Sequence, residues 1–177
     1  MTDTRDARRG AAKKRERIRP GDLFSIPLEA KGFGVCQVVI TNGVMFVLIF
    51  KGPLTALDEF QSRRALREDP VLVGWTVDAL IYHGRWQRIG TAPIDWSRVP
   101  LPSYQVLIDG VPCVVDTDGR RSRPATEEEI AKLSHRTTVA PIRFENALRA
   151  IHGLEPWRPE YDELTREHAV EAARVRV

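Results

Sequence analysis

Cysteine is scarce in this chain and long apolar runs are lacking, and each shortage excludes a class of protein. The two cysteines, Cys36 and Cys113, both lie in apolar runs and belong to no C-x-x-C pair. Such thiols pack as small hydrophobes and suit a reducing compartment better than a secreted, disulfide-stapled one. The longest apolar stretch, Val44–Phe50, is far too short to span a membrane. No apolar run follows the basic start, so a signal peptide is not expected and a cytoplasmic location is. P-loop, G-x-S-x-G and H-E-x-x-H motifs are missing. Gly32-Phe33-Gly34 lacks the third glycine and following helix of a dinucleotide fingerprint. There are no internal repeats. Catalytic residues, cofactors and metals are therefore all expected to be none.

What is present is an ordinary globular composition. The 177 residues, 42% of them hydrophobic, can enclose a core without staples. Charge is unevenly spread. Residues 1–19 hold eight basic and three acidic residues, a net +5, which leaves −2 for the rest of a chain whose total is +3. The reading is a flexible basic arm over 1–18 and a single domain over 19–177.

Hairpin signals dominate the first two thirds. Leu23–Leu28 reads as an edge strand. Asn42-Gly43 between Val35–Thr41 and Val44–Phe50 predicts a two-residue hairpin turn. That turn sets Ile40 against Met45, Val39 against Phe46, Val38 against Val47, Gln37 against Leu48, Cys36 against Ile49 and Val35 against Phe50. Both faces are apolar, so the hairpin should be central and covered on both sides, with Gln37 bonded to backbone. Thr55–Arg67 predicts a short helix capped by Thr55, with Leu57, Phe60 and Arg64 on one side. Val71–Tyr82 predicts a strand that turns at His83-Gly84 into Arg85–Gly90. Tyr104–Ile108 and Val111–Val115 flank Asp109-Gly110, a second hairpin turn, and Pro112 suggests a sheet edge.

Helices close the chain. Thr126 and Glu129 have capping-box spacing. Pro141 opens a helix with Phe144, Ala147, Leu148 and Ile151 on one face, and Gly153-Leu154 fits a Schellman stop. A last polar helix is predicted over Glu160–Ala173. Strands first and helices last imply an α+β fold: a twisted antiparallel β-sheet or half-barrel core followed by C-terminal helices.

Two clusters invite functional readings. Asp116, Asp118 and Glu127–Glu129 include an Asp-x-Asp-Gly that opens like a calcium loop, but Arg120 stands where the third oxygen ligand belongs. They read instead as a turn and as negative charge at a helix start. Tyr82-His83-Gly84-Arg85-Trp86 could stack bases, which together with the basic arm supports an alternative reading as a small nucleic-acid-binding β-barrel.

Three stretches resemble the Immunity protein 26 family of bacterial polymorphic-toxin systems. They are Gly21-Asp22-Leu23-Phe24-Ser25-Ile26-Pro27-Leu28 with Gly32-Phe33-Gly34-Val35-Cys36-Gln37-Val38; Gly84-Arg85-Trp86-Gln87-Arg88-Ile89-Gly90 with Ala92-Pro93-Ile94; and Pro100-Leu101-Pro102-Ser103-Tyr104. The resemblance covers roughly 19–115 well and implies a non-enzymatic inhibitor that binds a cognate toxin domain, often a nuclease, in the producer's cytoplasm. Within these motifs Gly21 and Gly34 are expected to permit special backbone angles, and Arg85 to pair with Asp22. Because a nuclease must present a positive cleft, Asp116, Asp118, Glu127 and Glu128 are the expected partner-binding residues.

Overall fold

The computed structural model describes residues 17–55 and 59–177. Nearly all of the expected arm, and Leu57 of the first expected helix, lie outside the described residues.

The fold is α+β, with two sheets and helices concentrated toward the C-terminus. The larger sheet contains β1 (Asp22–Pro27), β2 (Phe33–Asn42), β3 (Val44–Leu54), β4 (Leu72–Thr76), β5 (Gln87–Thr91) and β9 (Thr138–Val139), in the order β5-β1-β2-β3-β4-β9. It is open, so the closed barrel of the alternative reading does not form. The smaller sheet, in the order β6-β7-β8, contains β6 (Tyr104–Ile108), β7 (Val111–Val115) and β8 (Ser122–Pro124). The helices are α1 (Glu59–Ala65), α2 (Ala79–Tyr82), α3 (Glu127–Lys132), α4 (Pro141–Ile151) and α5 (Arg166–Ala172).

The β2–β3 hairpin is central, as its two apolar faces require. Strand alternation sends Cys36, Val38, Met45, Val47 and Ile49 to one face, where Phe144, Ala147 and Leu148 of α4 meet them. The intervening Val35, Val39, Phe46, Leu48 and Phe50 go to the other face and pack with Val73, Trp75 and Ala65. Gln37, 3% exposed, donates through Nε2 to the carbonyls of Ala92 (3.2 Å) and Pro93 (3.3 Å).

The register departs from the expected one at a single place. Val35–Phe50, Cys36–Ile49, Gln37–Leu48 and Val38–Val47 pair as predicted. Ile40 then faces Phe46, Thr41 faces Met45 and Asn42 faces Val44. A bulge at Val39 consumes one residue, so Gly43 alone, at φ +71°, turns the corner. The second hairpin keeps its predicted form, with Asp109 (φ +51°) and Gly110 (φ +80°) both left-handed.

Other expectations are corrected by long-range pairing. Leu23–Leu28 is not at an edge, because β1 pairs with both β2 and β5. The Val71–Tyr82 strand ends at Thr76; α2 follows, and β5 crosses over to β1 instead of returning along β4. Pro112 lies in the middle strand of the smaller sheet, at a point past the end of β8, where its carbonyl accepts from the Ala125 amide at 3.0 Å. The expected Glu160–Ala173 helix is broken: a 3-10 turn over Pro159–Leu164 is followed by α5, whose first turn is capped by the Thr165 hydroxyl. Thr55 is separated from α1 and donates to Gln61 Oε1 through its amide (3.1 Å) and hydroxyl (3.3 Å). Gly34 acts by proximity, since a Cβ there would lie 2.4 Å from Leu148 Cδ2. Gly21 does take a left-handed angle, φ +91°.

α3 and α4 follow their local signals. The capping box at α3 is complete. α4 ends in a Schellman stop, with the Leu154 amide donating to the Arg149 carbonyl at 2.9 Å and the Gly153 amide to Ala150 at 2.9 Å.

Candidate partner interface

Charged groups inside the fold serve architecture first. Arg85 reaches across to α4, not to Asp22. Its Nε lies 3.0 Å from both carboxylate oxygens of Glu145, and its Nη2 also donates to Oε1. Trp86 Nε1 donates to Glu145 Oε2 at 3.1 Å. Glu145 is wholly buried, so its carboxylate needs these donors. Asp22 instead accepts from Arg88 Nη2 and from the Arg19 amide at 2.8 Å. Two acid–arginine pairs thus clamp β5 to β1 and the α2–β5 corner to α4. Sequence reading missed Glu145, although it falls on the apolar stripe Pro141, Phe144, Glu145, Leu148 at helical spacing. A carboxylate on such a stripe is the signal that could have found it. Trp86 is 1% exposed and Arg85 is engaged by Glu145, so the cluster cannot offer its tryptophan to a base; Tyr82, at 56%, and His83 are the rings it leaves exposed.

Cys36 is enclosed, and burial pushes its thiol far above the usual range. Cys113 is also buried and free. Ser134 Oγ and His168 Nε2 lie 2.9 Å apart, beside a cavity of about 30 Å³ lined in part by Trp75, His135 and Glu163. That volume suits a water molecule, not a substrate. No three His, Cys, Asp or Glu side chains among the described residues could hold a metal ion.

The expected partner-binding acids all lie on or beside the smaller sheet, in two groups. Asp116 starts the β7–β8 turn. It accepts the amides of Arg120 (2.7 Å) and Arg121 (3.1 Å) and Arg121 Nε (3.0 Å). Partial burial works against its ionisation, but the hydrogen bonds from Arg121 and Arg120 prevail and hold its carboxyl below the usual range. Asp118 pairs with Arg120 Nε at 2.9 Å. Glu127 and Glu128 start α3 and are exposed; Glu128 pairs with Lys132 one turn on. Between the groups, Glu129 closes the capping box and takes Arg123 in a two-pronged pair at 2.8 and 2.5 Å.

The Arg123 hydrogen bonds, seconded by the Thr126 amide, bring the Glu129 carboxyl from 4.5 down to about 2. A depressed carboxylate stabilises the fold above its unfolded pKa and loses that contribution as pH falls through the folded one. The melting temperature of Glu129→Gln should therefore trail that of the parent most at neutral pH. The gap should close between pH 4.5 and about 2. A gap independent of pH would show that ionisation of Glu129 contributes nothing to stability.

Apolar side chains are also displayed on this sheet. Leu107 is 64% exposed, Val111 51% and Ile108 42%, all at the β6–β7 tip. Ile108 and Val111 face each other, while Leu107 faces Pro112 on the opposite side of the ribbon. An apolar tip left in water on both faces is unusual for a buried-core scaffold and is what an association surface offers.

Comparison with known proteins returns one family. No curated protein and no solved structure matches the chain. The Immunity protein 26 profile matches residues 19–108, which contain β1 to β6, both acid–arginine clamp arginines and the central hairpin. The matched region covers half of the chain, and on that ground this protein belongs to the Immunity protein 26 family.

Proposed function

We propose that this chain binds a cognate toxin of a polymorphic-toxin system and neutralises it by occupation, without catalysis, in the cytoplasm of the producing cell. Membership of the Immunity protein 26 family carries the reading. The architecture is consistent with it: a covered central sheet supplies rigidity, and a smaller sheet, whose β7 and β8 lie outside the matched region, displays exposed apolar side chains. No helix among the described residues is long and apolar enough to cross a membrane.

The proposed contact surface is the smaller sheet with the start of α3. Leu107, Ile108 and Val111 act as anchors, because desolvated apolar groups supply most interface affinity. Glu127 and Glu128 favour a basic partner surface such as a nuclease cleft, whereas Asp116 and Asp118 are engaged by Arg121 and Arg120. Exposed charge pairs are worth about 1 kcal/mol or less, so these acids act mainly on encounter rate.

The test uses the cognate toxin domain. Co-expression of the intact chain should restore growth, and Leu107→Asp with Val111→Asp should abolish protection while leaving the melting temperature unchanged. Glu127→Lys with Glu128→Lys should slow association at low salt by about tenfold and matter little at high salt. Reversal at these two positions is preferred because Asp116 also holds its own turn. Failure of the parent chain to protect would end the proposal.

A further inference from the structure

A groove of about 950 Å³ runs between the bulged end of β2, the segment 96–101, the β7–β8 turn and the C-terminal segment 173–177. Its apolar wall includes Ile40, Leu101, Val175 and Val177, and Trp96 at its margin is 55% exposed. Arg120, Arg121 and Arg176 complete the lining alongside Asp116 and Asp118.

Formal charges nearly cancel here, but their display does not. The side chain of Arg120 is 84% exposed against 27% for its partner Asp118, and that of Arg121 is 73% exposed against 16% for Asp116. Both pairs run through Nε. A guanidinium carries five N–H donors in a planar fork, so each retains its terminal nitrogens for a second carboxylate. The acids sit behind and orient the arginines; the face offered to solvent is cationic over an apolar wall.

We infer that this groove docks an acidic, apolar-anchored peptide segment of the protein partner, its carboxylates on Arg120, Arg121 and Arg176 and its apolar side chain against Leu101 and Trp96. The inference rests on the protein-binding function proposed above. A nucleic acid fits less well, because a phosphate backbone follows an extended cationic track and here three arginines stand over an apolar wall. The chain's own residues 1–16 are net basic and match the rim in sign, not in complement.

The experiment uses the full chain and three fluorescein-labelled probes: a short peptide of aspartates flanking a tryptophan and a leucine, the same peptide with lysines for aspartates, and an oligothymidine of similar length. The aspartate peptide should bind with a Kd on the order of 100 µM at low salt and the lysine peptide should not. Arg120→Ala with Arg176→Ala should weaken the aspartate peptide about tenfold, as should Leu101→Asp, with melting temperatures unchanged. Arg121 is spared because it also braces the Asp116 turn. Equal binding of the two peptides, no effect of the arginine variant, or tighter binding of oligothymidine would overturn the inference. If the parent binds the aspartate peptide yet protects against no toxin, the toxin reading fails and the groove stands. If the arginine variant protects fully and binds peptide normally, the groove fails and the toxin reading stands.

Discussion

Arg85→Ala should destabilise this protein by about 3 kcal/mol, far more than loss of a half-exposed arginine normally costs. The cost arises on the partner. Glu145 is wholly buried and takes three of its hydrogen-bond contacts from Arg85 and one from Trp86 Nε1. Removing the guanidinium leaves a buried carboxylate with one donor. Breaking a buried pair from one side costs about 3–5 kcal/mol, and the lower end applies because water can enter the space Arg85 vacates. A paired change distinguishes this account from simple loss of packing. Adding Glu145→Leu to Arg85→Ala removes the stranded charge and should recover about half the loss; the unsatisfied Trp86 Nε1 keeps recovery incomplete, at a cost of about 1–3 kcal/mol. Urea denaturation of the parent, both single variants and the double variant gives the coupling directly. An Arg85→Ala variant within 1 kcal/mol of the parent, or a double variant no better than the single, would remove the clamp from the account.

Phe46→Ala should cost about 3–5 kcal/mol. The ring is fully enclosed, and its centroid stands 5.3 Å from that of Trp75 in an edge-on contact. It lies on β3 between β2 and β4, paired on both sides, so both the transfer loss and the cavity term should be felt. Phe46→Leu should cost less than half as much, because it keeps most of the volume. Gly43→Val tests a different quantity in the same hairpin. A Cβ there meets no atom within 4 Å, so any loss reflects only the left-handed φ of +71°, roughly 1–2 kcal/mol. If Gly43→Val proved the more damaging of the two, the hairpin would depend on its turn more than on its core. Midpoints from chemical denaturation decide the order.

Much of the fold was legible in short stretches. The alternation that sends Val38 and Phe46 to opposite faces is a property of the strand itself, so the two-sided core could be read without tertiary information. The Asp109-Gly110 turn, the Thr126–Glu129 capping box and the Gly153 stop likewise follow from local backbone demands. The family could be read from stretches that fall within residues 19–108, the part of the chain that builds β1 to β6.

Other features depended on partners distant in sequence. Whether Val39 forms a bulge depends on the competing fit of β3 between β2 and β4. The Val71–Tyr82 run stops as a strand at Thr76, and the chain beyond it brings Trp86 and Arg85 to Glu145, fifty-nine and sixty residues away. Asp22 and Glu145 are both buried and both need donors, so the pairing of Arg85 with Glu145 and of Arg88 with Asp22 is a matter of which carboxylate the fold brings within reach. The same holds at the surface. Read along the chain, Asp116 and Asp118 suggest an acidic patch; in three dimensions they retreat behind Arg120 and Arg121 and the arginines face water. Sequence determined which groups are charged, which strands are apolar on both faces and where the chain must turn, because those properties act within a few bonds of the backbone. Tertiary structure decided strand order, ion-pair partners and which end of each pair meets solvent, because burial and Coulomb energy depend on distance through space and not along the chain.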